Sequence, residues 1–116
     1  MTTLKEIILY PTESKVKLIN DLIKNEVNTL AEVIEETIDA NNPKGMYLVA
    51  KYVEGIDLGI IYWFANSVCQ CKNPEYIYKF AQDIPGAPID RLAKGMLATK
   101  HLNYIYKYAK DIPGAP

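Results

Sequence analysis

The stretch YIYKFAQDIPGAP occupies residues 76–88, and YIYKYAKDIPGAP occupies residues 104–116. The copies lie 28 residues apart, and residues 74–88 and 102–116 are identical at 11 of 15 positions. A weaker copy lies upstream, where residues 46–57 match residues 77–88 at an offset of 31. Self-similarity at a fixed period of roughly 20 to 50 residues is typical of repeat architectures. The sequence therefore predicts a repeat of 28–31 residues.

The first part of each unit predicts a short amphipathic helix. Asn73 precedes Pro74, as Asn42 precedes Pro43 one unit earlier. Asn is a preferred N-cap because its side chain accepts free amide protons of the first turn, and Pro fits the first helical position. Apolar side chains then recur at helical spacing in both copies: Ile77, Phe80, Ala81 and Ile84, and Ile105, Tyr108, Ala109 and Ile112.

The second part of the unit predicts a turn and a second helix. Pro85 and Gly86 fit the central positions of a type II turn, in which glycine takes the positive φ, and Gly55 falls on Gly86 in the upstream copy. Pro88 is predicted to open the second helix at its first position. Gly95 lies inside that helix, where it destabilises relative to Ala, so we expect a neighbouring helix to approach closely there.

These signals predict an all-α fold of about eight short helices with no strand. Thr3 begins a sequence of capping-box form, and Asn28 and Asp57 are predicted to cap further helices. Short connections favour antiparallel neighbours, and stacked helix pairs share a continuous core. We therefore expect a solenoid-like stack of antiparallel helix pairs, with residues 1–27 as N-terminal capping helices and residues 28–116 as tandem repeats in one domain.

The pattern Y-I-Y-x-[FY]-A-x-D-I-P-G-A-P-I-D-x-L-A resembles short tandem helical repeats of bacterial and phage proteins. Those repeats are similar in form to HEAT-type repeats, although they are shorter. The resemblance covers residues 42–116 well and residues 28–41 loosely. It implies an α-solenoid that binds other macromolecules, and it implies no catalytic residue.

Composition and the few reactive side chains favour a binding protein over an enzyme. The net charge of −1 does not indicate a polyanion binder, although residues 1–70 carry −4 and residues 71–116 carry +3. Cys69 and Cys71 are interpreted as reduced thiols of a cytoplasmic protein, and His101 occupies an N-cap position. No phosphate-binding loop, nucleophile triad, metal set or cofactor motif is found, and no apolar stretch is long enough for a membrane span.

The tyrosines suggest a contact surface. Tyr76 and Tyr104 flank the inward-facing apolar stripes of their helices, with Lys79 and Lys107 beside them. Tyrosine is favoured at interfaces because it offers a large contact area at low entropic cost. The alternative is that these rings only fill grooves between units. The predicted partner-binding residues are Tyr76, Lys79, Tyr104, Lys107, Tyr108 and Ile112.

The sequence ends at Pro116, where the second helix of another unit would begin, so we expect an open groove on the last helix. Either the chain is a fragment of a longer repeat array, or another protein or a second copy of the chain covers that groove. The first functional hypothesis is thus a non-enzymatic protein–protein interaction module. The alternatives are a small phage or mobile-element inhibitor or regulator of a host protein, and a weak nucleic-acid binder whose Tyr and Lys side chains contact bases.

Overall fold

A computed structural model describes residues 3–115, and within that range the chain forms eight helices and no strand, which confirms the predicted all-α fold. The helices are α1 (Leu4–Leu9), α2 (Glu13–Lys24), α3 (Leu30–Ala40), α4 (Pro43–Tyr52), α5 (Leu58–Gln70), α6 (Pro74–Asp83), α7 (Ile89–Ala98) and α8 (Leu102–Asp111). None of these helices combines the length and apolar character needed to cross a bilayer.

The helices contact one another in two rows. In the odd row α1 contacts α3, α3 contacts α5, and α5 contacts α7. In the even row α2 contacts α4, α4 contacts α6, and α6 contacts α8. Most helices also contact the next helix along the chain, and the molecule measures 43 × 22 × 20 Å along its principal axes. Each helix of the even row therefore lies against the even-row helix of the preceding unit.

The helices begin largely where their capping residues predict. The Asn42 side chain accepts a hydrogen bond from the Lys44 amide at 3.0 Å, and the Asn73 side chain accepts one from the Glu75 amide at 3.1 Å. Thr3 and Asp57 are also confirmed as N-caps. The prediction for Asn28 is wrong by one residue.

Thr29 caps α3 instead of Asn28. It forms a reciprocal capping box with Glu32, and the Asn28 side chain donates to the Glu32 carboxylate at 3.1 Å. Asn28 therefore supports the cap from outside the helix. The hydrogen bond from Asn28, followed by one from the Thr29 amide, lowers the pKa of Glu32.

The turns at Gly86 and at the aligned Gly55 have the predicted positive φ. Gly86 has φ of +77° and Gly55 has φ of +89°. The Ala87 amide donates to the Ile84 carbonyl at 3.1 Å, which closes the turn around Pro85 and Gly86. Pro88 is predicted at the first position of the second helix. It is instead the N-cap residue, and α7 starts at Ile89.

The core follows the repeat. Positions that align between units are buried in every copy: Val49, Phe80 and Tyr108 are each at most 3% exposed, and Val53, Ile84 and Ile112 are at most 5% exposed. Buried side chains continue upstream through α2 and α1, where Val16, Ile19 and Ile7 are at most 1% exposed. One hydrophobic core therefore runs from α1 to the end of α8.

Gly95 has the close neighbour that its place inside a helix predicts. A Cβ atom built on Gly95 would collide with Cys69 Sγ and would lie 2.9 Å from Cys69 Cβ. α5 and α7 can therefore approach each other closely because residue 95 has no side chain. Cys69 is buried, and burial raises the pKa of its thiol.

We predict that Gly95→Ala destabilises the protein. Overpacking a tight site costs typically about 1–3 kcal/mol, whereas the gain in helix propensity from Gly to Ala is about 1 kcal/mol. We therefore expect the free energy of unfolding to fall by up to about 2 kcal/mol, measured by urea denaturation followed by circular dichroism.

Gly59→Ala is the matched control, because its new Cβ would meet only Asp57 Oδ1 at 3.4 Å. That variant should be as stable as the parent or gain up to about 1 kcal/mol from helix propensity. A Gly95→Ala protein at least as stable as the parent would show that α5 and α7 are not in tight contact.

Candidate interaction surface

The surface of the even row carries a series of exposed and half-buried tyrosines and lysines. We call this set the tyrosine–lysine strip, and its members are Lys17, Lys51, Tyr52, Tyr76, Lys79, Tyr104 and Lys107. Lys17 Nζ lies 4.9 Å from the ring centroid of Tyr52, and Lys79 Nζ lies 5.2 Å from that of Tyr76. Cation–π contacts therefore recur along α2, α4, α6 and α8.

Buried tyrosine rings lie beneath the strip and join neighbouring helices. Tyr47 on α4 packs against Tyr76 on α6 with ring centroids 6.0 Å apart. One unit later, Tyr78 on α6 packs against Tyr104 on α8 at 6.3 Å. Tyr47 aligns with Tyr78 in the sequence repeat, and Tyr76 aligns with Tyr104. Residues at aligned positions therefore make the same side-chain contact in both units. Lys107 completes the second contact, with its Nζ 4.6 Å from the centroid of the Tyr78 ring.

Each of these junctions also contains a hydrogen bond from a buried tyrosine to a carboxylate, which we call a tyrosine–carboxylate link. The Tyr47 hydroxyl donates to Asp83 in the last turn of α6. The Tyr78 hydroxyl donates to Asp111 in the last turn of α8 at 2.8 Å. The two links are repeat-related, and each one connects an even-row helix to the next.

A second side chain supports each link from the position four residues after the tyrosine. Lys51 Nζ donates to the Tyr47 hydroxyl at 3.3 Å and lies 3.7 Å from the Asp83 carboxylate. Gln82 donates to the Tyr78 hydroxyl at 3.3 Å. Each phenol oxygen therefore receives one hydrogen bond and donates another, so it is satisfied on both sides.

The electrostatics of the strip follow from these contacts. Burial, followed by the hydrogen bond to Asp83, raises the pKa of Tyr47, and the hydrogen bond to Asp111 raises the pKa of Tyr78. The hydrogen bond to Tyr47 raises the pKa of Lys51. At neutral pH the tyrosines therefore stay protonated donors and Lys51 stays a cation.

Four of the six predicted contact residues lie together on this surface. Tyr76 and Lys79 lie on α6, and Tyr104 and Lys107 lie at the same repeat positions on the adjacent α8. The sequence reasoning missed Lys51 and Tyr52, because they align with Gln82 and Asp83 and so have no basic or aromatic counterpart in the next unit. It missed Lys17 because α2 precedes the aligned repeat. The aromatic and basic side chains of α4 were the signal that could have found two of them.

The predictions for Tyr108 and Ile112 as contact residues are wrong. Each is only 3% exposed, because α7 covers the inner face of α8. The Tyr108 hydroxyl donates to the Ile89 carbonyl at 2.6 Å, and this burial raises the pKa of Tyr108. Tyr108 therefore takes the core role that Phe80 has one unit earlier.

A groove also lies outside the tyrosine–lysine strip. A mostly open groove of about 620 Å³ lies near the start of α1, and Leu4, Leu22, Val27 and Glu32 are among its lining residues. It contains no histidine or cysteine. Among residues 3–115 there is also no group of three or more His, Cys, Asp or Glu side chains that could hold a metal ion.

Comparison with known proteins adds no assignment to this geometry. No family model matches the chain, and neither the curated proteins nor the solved structures contain a match.

We predict that stability falls as the pH rises above about 10, the ordinary tyrosine pKa. Tyr47, Tyr78 and Tyr108 have a raised pKa in the folded chain, so the unfolded chain loses these protons first. Their contribution is complete below the unfolded pKa and is lost as the pH rises towards the folded pKa. Urea midpoints measured between pH 8 and pH 11 test this.

Tyr108→Phe isolates the contribution of one of these three tyrosines to the pH dependence of stability. Loss of its hydrogen bond should lower the free energy of unfolding by about 1 kcal/mol at pH 8, and the stability should fall less steeply above pH 10. Tyr106→Phe is the control, since Tyr106 is 70% exposed. This variant should change the free energy of unfolding by no more than about 0.5 kcal/mol. Equal effects from the two variants would contradict the assigned role of the Tyr108 hydroxyl.

Proposed function

We propose that this chain is a helical-repeat protein–protein interaction module without catalytic chemistry of its own. We further propose that its helices stack as antiparallel pairs in a HEAT-like solenoid. The repeated sequence, the two rows of helix contacts and the 43 Å long axis support this architecture. Stacked repeats present extended surfaces, and binding is the use to which such surfaces are commonly suited.

The tyrosine–lysine strip is the observation that carries the proposal. It places large amphipathic rings and cationic side chains on neighbouring helices, and these are residues suited to protein interfaces. Tyr76 and Tyr104 are half-buried, whereas Lys107 is exposed and the Lys79 side chain is 43% exposed. The ring edges and the ammonium groups are therefore accessible to a partner.

The strip is also held in place before any partner arrives. The tyrosine–carboxylate links fix the positions of α4, α6 and α8 relative to one another, and the ring contacts Tyr47–Tyr76 and Tyr78–Tyr104 orient the tyrosines. A preorganised surface loses less side-chain entropy on binding. Lys17 and Lys79 form salt bridges to Glu13 and Glu75 on their own helices, whereas Lys107 forms none among residues 3–115. We infer that the partner contributes apolar side chains and a carboxylate that pairs with Lys107.

Nucleic-acid binding is less well supported by the same geometry. Base stacking needs a free ring face, and Lys17, Lys79 and Lys107 lie over the faces of Tyr52, Tyr76 and Tyr104. A host-protein inhibitor or regulator would use the strip as any other protein partner would. It is therefore a special case of the proposed function.

The test uses random 16-residue peptides selected for binding to the immobilised chain. We expect the selected peptides to be rich in Asp and Glu beside apolar residues. Lys79→Glu together with Lys107→Glu should lower the affinity of the chain for these peptides at least about tenfold, or about 1.4 kcal/mol. Fluorescence anisotropy of labelled peptides measures the affinity.

Lys5→Glu together with Lys15→Glu is the matched control, because both lysines are exposed, lie outside the strip and carry the same charge change. It should leave peptide affinity unchanged. Equal losses in both double variants would argue against the strip as the site. Displacement of the peptides by single-stranded DNA, with a steep salt dependence, would favour the nucleic-acid reading.

A further inference from the structure

The two tyrosine–carboxylate links have a third, incomplete counterpart on α8. The repeat places Tyr106 at the position of Tyr78, 28 residues later, and Lys110 at the position of Gln82. One unit further upstream the same supporting position is held by Lys51. A tyrosine donor and its supporting side chain are thus present for a third time. Among residues 3–115, however, no carboxylate accepts a hydrogen bond from the Tyr106 hydroxyl.

Exposure shows which face of α8 the incomplete link belongs to. Tyr78 is 6% exposed because α8 covers it, whereas the aligned Tyr106 is 70% exposed. Ala81 is 7% exposed, and the aligned Ala109 is exposed. The outer face of α8 therefore presents the surface that α6 uses to bind α8. It continues an interface that is already formed twice along the even row.

We propose that the outer face of α8 binds a helix of a partner protein that carries an aspartate or glutamate in its last turn. The carboxylate accepts a hydrogen bond from the Tyr106 hydroxyl and pairs with the Lys110 ammonium, as Asp83 does with Tyr47 and Lys51. This inference rests on the proposed interaction function, but it concerns the outer face of α8 and not the strip.

The charges around this face favour an acidic partner helix over a second copy docked through the same face. Residues 89–116 contain five Lys or Arg and two Asp, a net charge of +3. Two such faces would repel each other, whereas a carboxylate-bearing helix would be attracted. Lys94 on the neighbouring α7 is exposed and adds to this positive charge.

The apolar part of the face completes the fit. Leu97 on α7 is 60% exposed and Leu102 on α8 is 78% exposed. Between these helices lies a small apolar cavity of about 90 Å³, lined in part by Met96, Ile105 and Ala109. A partner helix with an apolar stripe would cover these side chains while its last turn reaches Tyr106. An apolar stripe ending in a carboxylate is the arrangement that α8 itself offers to α6.

The probe is a synthetic peptide copy of residues 88–115, since this hairpin packs on α5 and α6 within the chain. We expect it to bind the full chain with 1:1 stoichiometry in calorimetry. Tyr106→Phe in the chain, or Asp→Asn at the peptide position that copies Asp111, should each weaken binding about tenfold. The two changes together should weaken it little more than one alone, because both remove the same contact.

Two controls keep the result specific to this face. Tyr62→Phe removes a hydroxyl from a tyrosine that is 51% exposed on α5, and it should leave binding unchanged. Lys79→Glu alters the strip and should leave hairpin binding unchanged, whereas Tyr106→Phe should leave the strip-selected peptides unaffected. Failure of one proposal is therefore distinguishable from failure of the other.

A fused chain provides the second measurement if the isolated hairpin is too poorly folded to bind. Placing the copy of residues 89–116 directly after Pro116 should raise the melting temperature, and Tyr106→Phe should lower that temperature in the fusion but not in the parent chain. No binding by the peptide together with no stabilisation in the fusion would overturn the proposal. Concentration-dependent dimerisation of the chain alone that Tyr106→Phe abolishes would also overturn it, because the occupant would then be a second copy.

Discussion

The apolar stripe that each even-row helix shares with its neighbours is the constraint on which the structure depends. A helix of ten residues buries too little surface to be stable alone, so its stability has to come from packing. Phe80 on α6 is fully buried, and α6 itself contacts α4, α5, α7 and α8. Neighbouring helices cover the aligned positions of the other units in the same way, so Val49 and Tyr108 are also buried.

The tyrosine–carboxylate links add register to this packing. Apolar stripes tolerate sliding, because one branched side chain can replace another at the contact. A hydrogen bond such as Tyr78–Asp111 is satisfied at a single offset between two helices, and its loss in a half-buried site leaves a polar group without a partner. Burial thus supplies most of the energy, whereas the links select which residue of α8 lies opposite Tyr78.

The local features of the fold could be predicted from the sequence because their causes are local. Asn42 and Asn73 cap helices through amides two residues away, and Gly86 takes a positive φ that the Pro-Gly sequence itself specifies. The links could not be predicted in the same way. Tyr47 and Asp83 are 36 residues apart, and their contact depends on the offset between α4 and α6, which no local pattern encodes.

The error at Tyr108 has a different cause. The repeat aligns Tyr108 with the buried Phe80, so its inward position was readable, but the expectation of an open groove on the last helix assigned it to a partner. The open face instead lies on the other side of α8, at Tyr106. The aligned residues Tyr78 and Tyr106 have the same sequence neighbours and opposite exposure, so only the three-dimensional neighbours of a repeat position decide its role.

In a linear stack the stability is approximately a sum of unit terms and nearest-neighbour interface terms. The α4–α6 and α6–α8 interfaces each contain an apolar contact, a ring pair and a tyrosine–carboxylate link. The outer face of α8 carries the donor half of these contacts. A helix with the complementary half would therefore gain one further interface term of the same composition, whichever polypeptide it belongs to. The contacts that join the even-row helices are thus also the ones that would let the chain recognise a partner.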